Sequence, residues 1–436
     1  MYWLRISCVI ALLATAAPAA GDGLQPGVVL NESNWQLATS LLPPEILDHY
    51  KNGEYANAVA EWKDGAMRWS DEFIRSTQEN ADRFATGSEG TIIDKATGKR
   101  PPFIYGFPFP TIEPADPQAA VKVLWNYYYG YWANGSRRNI TSLSWLARGG
   151  VDRSAIQDVY FRQFDGQPSA LRPKENPNDL LQQMLATSLE PADLQGTTAL
   201  AWRYRAPDKR DSVWAYVPAL RRVRAVSPAN RSDGFLGSDM SQDDGPFFDG
   251  KPEDFIWTLV GEQQALRLAD PYSLQGDYQY IPLPSGGWRV PFKAVPMVGY
   301  QQPEWKGLAW APLNFVLVQR PFWIIEGVPK DRYYRFGRIQ LYIDKENYRG
   351  AWSRKFDWQG QLSTTYQIGA YLNGSPDGTL YVWGHGIYYQ VAEDHRLNRA
   401  TFAGAPPANW PDPVNDYFVS YDPGFFDSSA LVRFGK

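Results

Sequence analysis

Hydrophobic positions along this chain repeat with two periods, helical early and alternating late. Pro43-Pro44-Glu45 opens a short amphipathic helix carrying Ile46, Leu47 and Tyr50. A second helix is predicted from about Tyr55 to Phe84, with Ala58, Trp62, Met67 and Phe73 on one face and charges on the other. Residues 98–117 mix proline with large aromatic side chains, which predicts an extended but ordered connection, since so much apolar surface seeks cover. Asp116-Pro117 reads as an N-cap followed by proline at the first helical position, and the helix it opens carries Val121, Leu124, Trp125 and Tyr128. Asn176-Pro177 repeats that signal ahead of Leu180-Leu181-Gln182-Gln183-Met184-Leu185.

From about Thr197 the period becomes two. Leu200, Trp202 and Tyr204 alternate with Ala201, Arg203 and Arg205, and after a polar turn at 207–211 the runs 213–217 and 221–226 continue as a β-meander around Pro218. Residues 315–318 and 322–328 are apolar runs of strand length. Ile339, Leu341 and Ile343 alternate with Arg338, Gln340 and Tyr342, giving one dry face and one wet. Turns at Asp344-Lys345-Glu346-Asn347 and Gln359-Gly360-Gln361 flank a strand, residues 379–392 supply another, and the C-terminal stretch reads as irregular. Helices gathered early and antiparallel strands late predict an α+β protein rather than alternating βαβ units. The expected organisation is a leader over 1–20, a helical region with an extended linker over 21–190, and a β-rich region over 191–436. The last two can equally form one continuous domain.

The N-terminus sets the compartment. Arg5 precedes an apolar run, Cys8 to Ala17, too short to cross a bilayer, and Ala17-Pro18-Ala19-Ala20 offers small residues for signal peptidase near Ala19 or Ala20. The chain is therefore expected to be exported and to work outside the cytoplasm. Cys8, the one cysteine, stands before the apolar run rather than at its end, which argues against lipidation, and its place in the leader excludes disulfides and thiolate metal sites from the mature part. Stability must then come from burial, and a 44% hydrophobic composition with 15% aromatic residues allows it. A net charge of −4 gives no general attraction to nucleic acid. No segment after the leader is apolar enough to span a membrane.

Catalytic patterns are absent. Asp239, Ser241 and Asp243 have the alternate spacing of a calcium loop, but the glycine and the closing glutamate of such a loop are replaced by Asp244 and Gly250, so a structured loop is the ordinary reading. His49, His385 and His395 show no metal-ligand spacing. There is no nucleophile elbow, P-loop or dinucleotide fingerprint. No cofactor or metal is expected.

Trp214-Ala215-Tyr216-Val217-Pro218-Ala219-Leu220-Arg221-Arg222-Val223-Arg224 resembles the strand pair of an uncharacterised family of proteobacterial periplasmic proteins. So do Tyr342-Ile343-Asp344-Lys345-Glu346-Asn347-Tyr348, Phe356-Asp357-Trp358-Gln359-Gly360-Gln361-Leu362 and the earlier Tyr105-Gly106-Phe107-Pro108-Phe109-Pro110. Members are described as outer-membrane lipoprotein-sorting-like, after their likeness to the LolA/LolB carriers. The resemblance covers nearly the whole mature chain. It implies an unclosed antiparallel β-barrel curled around an apolar cavity and covered by helices. It also implies an exporter of the resistance–nodulation–division type as partner, and it transfers no reaction.

Under that resemblance Trp202, Trp214, Tyr216, Phe322, Ile324, Leu341, Ile343 and Trp352 are candidates to line the cavity; otherwise they are core. Arg203, Arg205, Arg221, Arg222 and Arg224 are either solubilising charges on strands or a docking patch for anionic lipid head groups or an acidic partner. A carrier of an acyl-chain-bearing molecule is the leading expectation. The alternatives are an envelope polysaccharide-binding protein or glycoside hydrolase using Asp239 and Asp243, and an exporter subunit that holds no ligand.

Overall fold

The main sheet begins at Arg137, well before the alternation of apolar positions becomes visible near Thr197. Residues 24–62, 69–227, 231–275, 280–284, 286–291, 298–374, 381–407 and 409–435 are described in the computed structural model of the chain; the leader with Cys8, and Met67, lie outside them. Two small antiparallel pairs come first: β1 (Val29–Leu30) with β2 (Asn57–Ala58), and β3 (Phe84–Thr86) with β4 (Ile92–Asp94). All later strands form one sixteen-stranded sheet. It contains β5 (Arg137–Ala147), β6 (Gly150–Gln163), β7 (Leu180–Glu190), β8 (Thr198–Tyr204), β9 (Ser212–Val217), β10 (Arg222–Val226) and β11 (Phe255–Ala269). It continues through β12 (Ile281–Pro282), β13 (Trp288–Arg289), β14 (Val316–Pro329), β15 (Arg338–Asp344), β16 (Gly350–Phe356), β17 (Leu362–Gly374), β18 (Tyr381–Asp394), β19 (Arg399–Gly404) and β20 (Asn415–Tyr417).

The strands lie in the order β10-β9-β8-β7-β6-β5-β19-β18-β17-β11-β14-β15-β16, and β16 turns back to pair with β17. One end of the sheet thus curls upon itself while β10 remains an edge. The result is a large curved antiparallel sheet that does not close into a barrel, with few helices against it. Strands on both sides of Glu190 belong to it, β7 and β8 being joined by a hairpin through 191–197.

Helix α1 (Pro44–Lys51) forms where the sequence places it. Helix α3 (Ala119–Trp132) forms where the periodicity places it but starts two residues after Pro117, with Gln118 at the N-cap position and Asp116 accepting from the Gln118 amide at 2.8 Å in the turn before it. Helix α2 is shorter than expected, running over Asp71–Asn80 with the Ser70 hydroxyl accepting from the Phe73 amide at 3.2 Å, because Asn57 and Ala58 are taken into β2 instead. The run at 180–185 is the clear correction: it is strand β7, not helix. Asn176 accepts from the Leu180 amide at 2.8 Å and donates to its carbonyl at 2.9 Å, so the polar residue starts a strand. A short apolar run covered on both faces carries no period by which to tell strand from helix. Residues 315–318 and 322–328 join in one strand, β14. Pro321 is tolerated within it because pairing with β15 begins only at Phe322.

Both faces of the sheet are covered around β14. Trp323 and Ile325 point to the face occupied by α3, together with Ile339, Leu341 and Ile343 of β15. Phe322, Ile324, Tyr342 and Trp352 point to the other, beneath α1. Helix α3 is apolar all round and buried, as a helix packed within a core must be. Its Tyr127 hydroxyl lies 2.9 Å from the carbonyls of Pro246 and Phe248, its Tyr128 hydroxyl donates to Gly250, and its Trp125 indole donates to Gly90 at 2.7 Å.

Candidate ligand-binding cavity

The register of the sheet writes out the floor of a cavity. Across β5, β6, β7, β8 and β9, one row of facing residues reads Arg137, Phe161, Met184, Ala201 and Val213. The next reads Asn139, Val159, Ala186 and Ala199. These residues line a cavity of about 260 Å³ on the face that carries α3. Its roof is the segment between Arg231 and Asp249, which contributes Phe235, Met240 and Pro246, while Tyr131 and Asn134 at the end of α3 close one flank. The alanines make the room. Opposite them on β8, the large side chains Leu200 and Trp202 point away.

Charge gathers at one corner. Arg203 pairs with Asp211 at 3.2 Å and Asp249 at 2.8 Å, and Arg231 reaches Asp211 and Asp243 at 2.7 Å and Asp249 at 3.0 Å. Tyr334 donates to Asp243 at 2.9 Å. Burial works against the Arg203 charge, but Asp211 and Asp249 hold it above the ordinary arginine value. Burial also pushes Asp211 towards protonation, and the two guanidiniums overcome it, leaving its pKa low. At Asp249 burial prevails and the pKa is raised. Close by, Lys355 meets Asp244, which caps the turn at Ser241.

The structure distributes the predicted residues differently from the cavity they were chosen for. None of the eight candidates lines it. Trp202, Trp214 and Tyr216 are on the opposite face, packed against the C-terminal segment, where Trp202 donates to the Phe426 carbonyl at 2.9 Å. Phe322, Ile324 and Trp352 lie under α1, and Leu341 and Ile343 face α3, which fills the space there with its own side chains. The basic cluster divides. Arg203 and Arg205 are buried in ion pairs, Arg205 with Asp165 at 2.5 Å, because two residues of the same parity on β8 and beyond share its inward face. Arg221, Arg222 and Arg224 stay exposed at the edge strand β10, where positive charge discourages edge-to-edge pairing.

Other candidates are also engaged. Asp239 accepts from Arg399 at 2.9 Å, and Asp243 is held by Arg231 and Tyr334. His49 and His395 meet on one carboxylate: Glu393 lies 2.8 Å from the first and 3.7 Å from the second. The His385 side chain lies outside the described residues. Among the described residues no group of three histidine or acidic side chains could hold a metal. Sequence reasoning missed Arg137, Asp211 and Arg231. A signal was available in the alanines at 199 and 201, since small residues on alternate positions leave one face of a strand unfilled.

Residues 29–289, more than half of the chain, match the family described as a protein of unknown function, DUF1329. The chain belongs to the DUF1329 family. Among solved structures, this DUF1329 protein is similar to an outer membrane lipoprotein-sorting protein domain from Vibrio parahaemolyticus, with 14% identity, a TM-score of 0.48, and 73% of this chain and 100% of that one covered. It is also similar to a DUF1329 family protein from Desulfovibrio piger, at 16% identity and a TM-score of 0.48 over the same shares of the two chains. A LolA superfamily protein from Nitrosomonas europaea matches at 11% identity and a TM-score of 0.40, covering 70% of this chain and 96% of that one. No curated protein matches the chain.

Proposed function

We propose that this DUF1329 protein is a carrier in the periplasm that shelters an apolar, acyl-chain-bearing molecule and delivers it to or from an envelope exporter. The observation that carries the reading is the cavity floor of Val159, Phe161, Met184, Ala186, Ala199, Ala201 and Val213, a set of apolar side chains on the inward face of four neighbouring strands with a loop for a roof. Apolar surface moved out of water contributes about 25 cal/mol per Å², so such a floor holds a hydrocarbon chain without a specific polar contact. The N-terminal leader pattern supports the compartment. The exposed Arg221, Arg222 and Arg224 offer a place to meet an anionic surface. The exporter follows from the family resemblance.

The reading is tested by native mass spectrometry and lipid extraction of protein purified from its own envelope. A bound hydrophobic molecule is expected from the wild type and not from Ala201→Phe, whose ring occupies the floor. Ligand-free wild-type protein that also fails to bind an apolar fluorescent probe would overturn the carrier.

A further inference from the structure

Arg137 stands apart from the other arginines of the cavity. Arg203 and Arg231 are each surrounded by carboxylates. Arg137 is only 4% exposed, and among the described residues it forms no ion pair. Its guanidinium lies between the rings of Tyr131, at 4.4 Å, and Phe161, at 4.6 Å, and donates to the Tyr131 hydroxyl. A guanidinium has five N–H donors in a planar fork, so this bond leaves most of them over. The aromatic faces offset part of the desolvation of the cation, but a charge buried this far calls for an opposite one. The planar fork of a guanidinium is the arrangement that suits a bidentate acceptor.

The rest of the cavity says where such an acceptor's other end goes. From Arg137 the floor runs outward over Phe161, Met184, Ala201 and Val213, all apolar. The acid-rich cluster gathers at Arg203, which stands on β8, three strands from β5, and its carboxyls come from Asp211, Asp243 and Asp249. Three carboxyls there make that end hostile to an anion. A cavity of about 260 Å³ is at the small end of ligand pockets and suits one tail rather than several.

We propose that Arg137 is the head-group site for an anionic amphiphile, a carboxylate or phosphate on a single apolar tail, with the tail lying along the Phe161, Met184 and Ala201 row. The inference rests on the carrier reading and specifies its cargo. It is tested on the delipidated full chain by calorimetric titration with decanoate, decyl phosphate and decanol, which share one tail. The wild type is expected to bind at least one of the anions about tenfold or more tightly than the alcohol, the increment of a hydrogen-bonded charge. The preferred anion identifies the head group. Arg137→Gln should bring the anion down to the level of decanol and leave decanol unchanged, and Arg137→Lys should keep part of the preference. Equal binding of all three by the wild type, or a preference that survives Arg137→Gln, overturns the head-group site while leaving the carrier standing. Failure of the wild type to bind any of them overturns both.

Discussion

His49 illustrates how this protein keeps a buried charge. Its Nδ1 lies 2.8 Å from Glu54 and its Nε2 2.8 Å from Glu393, a residue 344 positions away, so no local spacing could have revealed the pairing. Burial favours the neutral ring, but Glu393 and Glu54 together outweigh it and push the pKa up to about 9 from an ordinary 6.5. A pKa raised by folding means that the folded state holds the proton more tightly than the unfolded chain. The contribution to stability is therefore fully present below pH 6.5 and is lost as pH rises through about 9, on the order of 3 kcal/mol in all. Denaturant unfolding of the wild type and His49→Gln across pH 6 to 10 should show the gap between them narrowing over that window. A gap that stays constant would refute the charged imidazole. At the other charged centre, Arg231→Met leaves Asp211 and Asp249 with the Arg203 guanidinium and Asp243 with the Tyr334 hydroxyl. A loss of about 3–5 kcal/mol is expected at pH 7, since removing one partner strands buried charge. A stability change under about 1 kcal/mol would mean that water, not Arg231, compensates the acids.

At the scale of the element, β8 separates two kinds of strand face. Leu200 and Trp202 pack against the C-terminal segment, while Ala199 and Ala201 face the cavity. The aromatic alternation was legible in the sequence, and it correctly marked a face that packs. It could not say which face stays open, because a large side chain that fills space and one that borders an empty space look alike in a list of residues. Strands β5 and β7 escaped detection for a related reason: with both faces covered, polar and apolar residues are buried side by side, as Ser142, Leu143 and Ser144 are. The two faces predict opposite responses to volume. Leu200→Ala, at a fully buried site, should destabilise by about 2–5 kcal/mol. Ala201→Phe adds atoms where there is space and should stay within about 1 kcal/mol of the wild type. Equal losses from both in chemical denaturation would show that the floor is as tightly packed as the back.

For the molecule as a whole, the α+β class was readable from early helices and late alternation and the curved sheet from the family resemblance, yet the support of the cavity floor was not. The C-terminal stretch looked irregular because it forms no long element, only short helical turns ending in α4 (Leu431–Phe434). Its side chains do the work of a layer: Phe425 and Phe434 lie 5.1 Å and 5.7 Å from the Tyr160 ring, and Phe426 and Leu431 are buried against Leu185, Leu200 and Tyr216. The Tyr421 hydroxyl donates to the Arg137 carbonyl at 2.5 Å, so the same segment touches the strand that bears the proposed head-group site. Strands β7 to β9 therefore have a cavity on one side and this segment on the other, and without it they would have water on the second face. Deleting residues 421–436 removes Phe426 and Leu431, each worth about 1.5–3 kcal/mol of burial, and uncovers the back of the floor. The shortened protein should unfold at a lower denaturant concentration by at least about 3 kcal/mol and bind a hydrophobic dye on its exposed back. It should also lose bound ligand, since alanines shape a cavity only while the strands that carry them hold their register. A truncated chain with the unfolding midpoint and ligand content of the intact one would show that the sheet holds its curve unaided, and that the floor owes nothing to the layer behind it.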